Sequence, residues 1–216
     1  YNKYLYKLQI EALKRAIEKS RVSLSGAKVL DIGCGTGFFS EFYIRHSADV
    51  TGIDITDVSI ESLRRGLPEG RFIVMDISAG DLKNQFAELF DVLNVFNVLY
   101  HIVDDNKLAK AIENALFCLK PGGYVFITDN LGKKDFSPAE HVRFRSLESY
   151  KELFRNRIDI VDVLPLYHFM NRRINIASLG ANNLISPLLF ICDSILNKFD
   201  VNIYDNMKLL IGRKRA

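Results

Sequence analysis

Apolar positions recur along this chain at two spacings, and the change from one to the other marks its elements. In residues 4–19, Leu5, Leu8, Leu13, Ala16 and Ile17 recur near helical spacing, while Lys7, Lys14, Arg15 and Lys19 face away. That pattern predicts an amphipathic helix, closed by Ser25-Gly26. Short apolar runs then predict strands at Lys28–Ile32, Val50–Ile53, Arg71–Met75, Val92–Val95, Tyr124–Thr128, Ile158–Leu164 and Lys208–Gly212. Helical patterns fall between them at Phe38–His46, Val58–Arg65, Asp105–Leu119 and Leu147–Phe154. In the Asp105–Leu119 helix, Leu108, Ile112, Ala115, Leu116 and Leu119 share one face, and Lys120-Pro121-Gly122-Gly123 is expected to stop it. Ser146 is placed to cap the Leu147–Phe154 helix, with Glu148 in its first turn.

Short apolar strands alternating with helices predict an α/β fold, Rossmann-like, whose mostly parallel seven-stranded sheet carries helices on both faces. A length of 216 residues suits one domain. Residues 1–25 form its helical leader. Residues from about 166 to 203, between the last two strands, are too many for a simple loop and predict a helical insertion. No internal repeat or low-complexity tract is visible.

Composition narrows the classes. The chain is 48% hydrophobic and 25% charged, ordinary for a protein with a core. A formal net charge of +3 is too small to argue for nucleic acid. The most apolar stretch, Leu184 to Leu196, is broken by Ser186, Pro187 and Asp193 and is shorter than the roughly 20 residues of a membrane span. The first residue is Tyr1, and the lysines and tyrosines that follow form no apolar signal core. The three cysteines, Cys34, Cys118 and Cys192, are far apart and make no CxxC pair. Zinc and thioredoxin-like readings therefore fail, and isolated thiols fit a reducing cytoplasm.

The stretch VLDIGCGTGFFS carries most of the chemical information. Gly33, Gly35 and Gly37 follow a strand and open a helix, where glycine permits a tight turn and close approach of a ligand. The spacing is GxGxG, not the dinucleotide-binding GxGxxG. Asp31 lies two residues before Gly33, Asp54 ends the second strand 21 positions after it, and Asp76 ends the third. The carboxyl ends of parallel strands face the ligand crevice, and an acid at the second can accept bonds from both ribose hydroxyls. Any one of these acids could instead cap the next helix; three in register with three strands are hard to explain by packing.

The stretches VLDIGCGTGFF, GIDIT, VMDIS, FDVLNVFNVLYHI and LKPGGYVFITD resemble, in order and spacing, the class I S-adenosylmethionine-dependent methyltransferases of the small-molecule type, over about residues 28–130. The resemblance implies that Asp31 and the loop Gly33, Cys34, Gly35, Thr36, Gly37, with Phe38, hold the methionine moiety of S-adenosylmethionine. It implies that Asp54 binds the ribose with Ile55 against the adenine, and that Asp76 meets the adenine amine beside Ile77. Phe96 and Asn97 would line the methyl-donor pocket. It also implies that the last strand, Lys208–Gly212, is antiparallel and inserted between the fifth and sixth.

A hydroxyl acceptor usually needs a base, and histidine is the usual one. His46 closes a helix and reads as structural. His101, in LYHI, follows the fourth strand near the expected methyl site, beside Tyr100 as a candidate acceptor contact. His141, Arg143 and Arg145 alternate, so an extended chain puts them on one side, with Lys133 and Lys134 nearby. This cluster reads either as a site for a carboxylate or phosphate of an acidic acceptor, with His141 as base, or as a solvated face and helix-terminal ion pairs. Asp129-Asn130 matches the magnesium pair of catechol-type enzymes, but no acid follows the fourth strand, so no metal is expected.

The function expected is methyl transfer, at oxygen before nitrogen, to a small-molecule or glycan-type acceptor, by a cytoplasmic monomer or homodimer. No (D/N/S)PP(Y/F) stretch, paired-glutamate loop or basic arm with interleaved aromatics points to nucleic acid or protein. The alternatives are an RNA or protein methyltransferase, a cofactor-binding module without transferase activity, and, against the glycine spacing, a nicotinamide oxidoreductase. Tyr1, Tyr4 and Tyr6 either approach the cofactor or pack. Leu184–Leu196 either lines an acceptor site or makes a dimer contact.

Overall fold

The computed structural model describes the chain except residues 81, 83, 84, 87, 88, 172–180, 200 and 202–205, and only the backbone of 181–184. Its elements in chain order are α1 (Asn2–Ser20), β1 (Lys28–Ile32), α2 (Phe38–Arg45), β2 (Asp49–Asp54), α3 (Asp57–Gly66), β3 (Arg71–Val74), β4 (Phe90–Val95), a 3₁₀ turn (Leu99–His101), α4 (Asp105–Cys118), β5 (Leu119–Asp129), β6 (Phe136–Ala139), β7 (Val142–Phe144), α5 (Leu147–Phe154), β8 (Ile158–Pro165), α6 (Ala181–Lys198) and β9 (Lys208–Lys214). Seven strands form one sheet in the order β3-β2-β1-β4-β5-β9-β8. β1 pairs in parallel with β2 and β4, whereas β9 runs antiparallel to both β5 and β8. This is a Rossmann-like α/β sheet with its last strand reversed between the fifth and sixth of the sheet's strands.

The sheet separates two apolar layers because neighbouring strand residues face opposite ways. Leu30, Leu93, Val125 and Leu210 join the α4 and α5 side with Leu108, Ile112, Leu116 and Phe154. Val29, Val92, Phe126 and Leu209 join the other side, under Leu8, Leu13 and Ala16 of α1 and Phe39 and Tyr43 of α2. Each large side chain fully buried here contributes roughly 1.5–3 kcal/mol. Asp104 caps α4 by accepting from the Lys107 amide at 2.9 Å, and Ser146 caps α5 by accepting from the Ser149 amide at 3.2 Å.

Two expectations need correction. The strand expected from Tyr124 starts at Leu119, directly after α4, and runs through Pro121 and Gly122. Leu119 pairs with Phe90, the ladder is interrupted before Val92, and Gly122 takes a φ of +77°. The segment after β5, for which the sequence predicts no strand, folds back as the separate two-stranded β6–β7 hairpin. Of the insertion expected over 166–203, α6 supplies a helix, and residues 172–180, 200, 202 and 203 lie outside the described residues. No helix among the described residues is long and apolar enough to cross a membrane.

Candidate functional site

The glycine loop is fixed from beneath by a buried polar network. Asp31, at 1% exposure, accepts from Ser40 Oγ at 2.6 Å and from Asn94 Nδ2 at 2.8 Å. Tyr43 donates to Asn94 Oδ1 at 3.1 Å. Burial pushes the Asp31 carboxyl up to about 6, against the bonds from Ser40 and Asn94 that favour its charge. Asp31 therefore ties β1 to β4 and α2. Its carboxyl is buried beneath the loop, and Asp31 is not among the residues that line the cavity at the strand ends, in contrast to the expectation that it holds the methionine moiety.

Above this network the loop is shaped by backbone. Gly33, Gly35 and Gly37 all have positive φ, and a Cβ on Gly33 would strike Val98. The Asp54 carboxylate accepts from the Gly35 amide at 2.9 Å and the Thr56 amide at 2.9 Å. Asp76 accepts from the Ser78 amide at 2.8 Å and hydroxyl at 2.7 Å, folding the chain at the end of β3 into a turn.

A cavity of about 540 Å³ opens at these strand ends, lined by Gly33, Asp54, Ile55, Asp76, Ile77, Asn97, Val98 and His101 among others. Those residues suit a nucleoside: two carboxylates with capacity left to accept hydroxyl or amine hydrogens, isoleucines for a flat base, and a glycine cradle that a Cβ would fill. Six further residues expected in the site do not line this cavity. Phe96 is 3% exposed, its ring 4.4 Å from that of Phe39 in the core. Cys34 packs with Ile60, Leu63 and Phe72, and burial raises its thiol pKa. Gly37 begins α2, where a Cβ would strike Leu63. Phe38 stacks on Tyr6 at 4.5 Å. Gly35 acts through its bond to Asp54, and Thr36 is exposed; neither borders the cavity.

A second cavity of about 390 Å³ is lined by Asn2, Leu5, Tyr6, Gln9, Asn97, Tyr100, Val142, Phe144, Tyr167, Asn171 and Met207, all uncharged. Asn97 borders both cavities. It has a φ of +61°, rare without glycine, and its amide donates to Thr128 Oγ1 at 2.8 Å. Its side-chain amide exchanges bonds with Gln9 at 3.3 Å, and Gln9 Nε2 donates to the Tyr167 hydroxyl at 2.6 Å. Burial raises the pKa of both Tyr100 and Tyr167, so both phenols stay protonated. Gln9, Thr128 and Tyr167 were missed in the sequence because a lone glutamine on an amphipathic helix and a tyrosine after the last parallel strand carry no motif.

The basic cluster resolves as structure. Val142 and Phe144 of β7 border the second cavity, so the alternate residues face away from it. Arg145 is 2% exposed and donates to the carbonyls of Arg143 at 2.6 Å and Ile102 at 2.9 Å and to Asp105 at 2.9 Å. Arg143 pairs with Asp105 at 3.0 Å. Both guanidiniums fasten the hairpin to the start of α4, which is the second of the two readings, helix-terminal ion pairs, in place of a site for an acidic acceptor. His141 is exposed in the turn between β6 and β7 and borders neither cavity, which corrects its assignment as base.

Asp129 is bonded by the Tyr150 hydroxyl at 2.8 Å and the amides of Asn130 and Arg145 at 2.6 and 3.3 Å. Burial nevertheless pushes it up to about 6. A group whose pKa is raised on folding takes up protons in the native state, so its contribution to stability is full below about 4 and falls as pH rises to about 6. In Asp129→Asn the amide can donate to the Tyr150 hydroxyl, which can also accept. Thermal melts between pH 4 and 7 are therefore expected to decline less steeply in Asp129→Asn than in the wild type. Equal slopes would refute the assignment.

A family model described as Methyltransferase domain matches residues 1–157. Over 123 residues the chain is 35% identical to the ubiquinone biosynthesis O-methyltransferase of Bordetella avium, covering 56% of this chain and 50% of that protein. It is 38% identical over 114 residues to the protein of the same name from Idiomarina loihiensis, covering 52% and 46%. The chain thus spans about half the length of the curated relatives it matches. Among solved structures, the N-methyltransferase NodS from Bradyrhizobium japonicum in complex with S-adenosyl-L-homocysteine superposes with a TM-score of 0.62 at 20% identity, over 94% of this chain and 87% of that one. The [4+2]-cyclase SpnF superposes with a TM-score of 0.63, also at 20% identity, over 94% and 80%. At such identities the likeness concerns the fold, and a cyclase among these neighbours means that the chemistry must be argued from the site.

Proposed function

The chain belongs to the methyltransferase-domain family, and from that premise we propose that it moves a methyl group from S-adenosylmethionine to an oxygen of an uncharged small molecule. The observation that carries this reading is Asn97, which walls both the nucleoside-sized cavity and the uncharged one beside it. Bound S-adenosylmethionine supplies an electrophilic methyl group open to in-line displacement. Asp54 would accept hydrogen bonds from the ribose hydroxyls, Ile55 and Ile77 would offer apolar surface to the adenine, and Asp76 would accept from its amine. Gly33 lets the backbone lie close to the cofactor. Gln9, Asn97 and the protonated Tyr100 and Tyr167 orient the acceptor by neutral hydrogen bonds, while Tyr6 and Phe144 pack its apolar parts. Alignment supplies most of the acceleration. The three free thiols suit the cytoplasm.

The acceptor hydroxyl must also lose its proton. His101 borders the cofactor cavity, its ring 4.6 Å from that of Tyr100, which borders the acceptor cavity. His46, His141 and His168 border neither. His101 is therefore assigned as base. Its exposure lets water replace it in part, so His101→Gln is expected to lower turnover about tenfold, below the usual effect of removing a general base. His141→Ala should leave turnover unchanged. Kinetics with labelled methyl donor check both, and the opposite ranking would return the role to His141. The reading as a whole is tested by calorimetric titration with S-adenosylhomocysteine, with NAD as control. One-site binding of the first alone supports it; absence of that binding overturns it.

A further inference from the structure

α6 is not built like a helix that only packs on its own domain. Its inward side mixes Leu189 and Phe190, which pack on the core, with three buried polar residues, Ser186, Asp193 and Asn197. Asp193 accepts from the amides of His168, Phe169 and Met170 at 3.0, 2.8 and 2.9 Å, and Asn197 donates to the Leu166 carbonyl at 2.9 Å. The outward side is apolar. Leu188, Ile191 and Ile195, with Phe199 just past the helix, are 61%, 51%, 51% and 73% exposed. At about 100° per residue they fall within roughly 80° of arc, a continuous stripe.

A second row runs beside it. Lys3, Lys7 and Lys14 are exposed on α1 and fall within about 40° of arc. α1 lies against α6 through Tyr4 and Phe190, whose ring centroids are 5.2 Å apart, and through Ser194 donating to Glu11 at 2.8 Å. Lys7 Nζ lies 5.9 Å from the Phe190 ring and Lys3 Nζ 5.1 Å from that of Tyr4. An apolar stripe lying alongside a lysine row is the surface of a helix pair that rests in a lipid interface: apolar side chains enter the acyl boundary and ammonium groups meet anionic headgroups. A second copy of the chain fits less well, because an apolar strip of about 17 by 10 Å falls well short of the ~800 Å² per partner of a stable dimer.

We infer that the α1–α6 face docks peripherally on an anionic membrane surface. Sedimentation of the whole protein with vesicles tests this, using phosphatidylcholine alone against equal parts phosphatidylcholine and phosphatidylglycerol. Binding is expected to the mixed vesicles and to weaken with added salt. The double variant Leu188→Glu/Ile195→Glu should lower the bound fraction at least about fivefold, and Lys3→Glu/Lys7→Glu/Lys14→Glu should abolish the preference for anionic vesicles. Circular dichroism confirms folding, and Leu188→Ser/Ile195→Ser replaces the glutamate pair if that pair fails to fold. Three results would overturn the inference: no binding to either vesicle, undiminished binding by the folded variants, or a dimer in sedimentation velocity that the double variant splits.

Discussion

Replacing Asp54 with alanine is expected to weaken S-adenosylhomocysteine binding about a hundredfold, roughly 2.7 kcal/mol. The carboxylate has two tasks. It holds the Gly35 and Thr56 amides, which sets the distance between the glycine loop and the start of α3. Its remaining capacity faces the cavity, where hydrogen bonds from two ribose hydroxyls to a charged acceptor are each worth roughly 1.5–3 kcal/mol. Alanine removes the ribose bonds and frees the loop together. Asp54→Asn separates the two effects, because the amide oxygen can still accept from one backbone donor while charge-assisted bonding is lost; its affinity should lie between. Calorimetry on both variants checks this, and an Asp54→Ala protein that binds within twofold of the wild type would remove the ribose assignment.

Gly33→Ala should cost about 2–5 kcal/mol of stability and abolish measurable cofactor binding. Two separable penalties produce that figure. The residue sits at a φ of +70°, where a side chain is disfavoured by roughly 1–2 kcal/mol. The added Cβ would also meet the Val98 side chain, and overpacking costs roughly 1–3 kcal/mol. Val98→Ala relieves only the second penalty. Denaturant unfolding of the single and double variants should therefore show partial rescue, with the backbone share left in the double variant. Full rescue would mean that the φ angle carries no cost, and no rescue that the contact with Val98 carries none.

Much of the architecture could be read because strand and helix periods are written locally. The strand at Lys28–Ile32 and the helix at Leu147–Phe154 match the sequence reading to the residue. Asp54 and Asp76 lie at the cavity because the topology of a parallel sheet puts strand ends there. The same rule misplaced Asp31, which points at Ser40 and Asn94 instead. A strand-end position does not say which face of the sheet its side chain takes when helix α2 offers a hydroxyl. The alternation of His141, Arg143 and Arg145 was legible, but the direction of that shared face depended on a hairpin whose partner strand carries no apolar pattern: all of β6 is exposed. Gln9 was invisible for a related reason, since its role exists only where α1 crosses Asn97 and Tyr167, 88 and 158 residues away.

The position of β9 has a consequence for biosynthesis. It follows both β5 and β8 in sequence, yet it pairs with β5 on one side and β8 on the other. Nascent chain emerging from a ribosome can assemble β1 to β5, but the groove that β9 fills stays open until residue 214 is clear of the exit tunnel. Until then β5 and β8 each present an unpaired backbone edge, the feature that chaperones shield and that aggregation exploits. Chains ending early at any point before Lys208 would keep both edges. Premature termination should thus yield species recognised by proteolytic quality control instead of a smaller working enzyme.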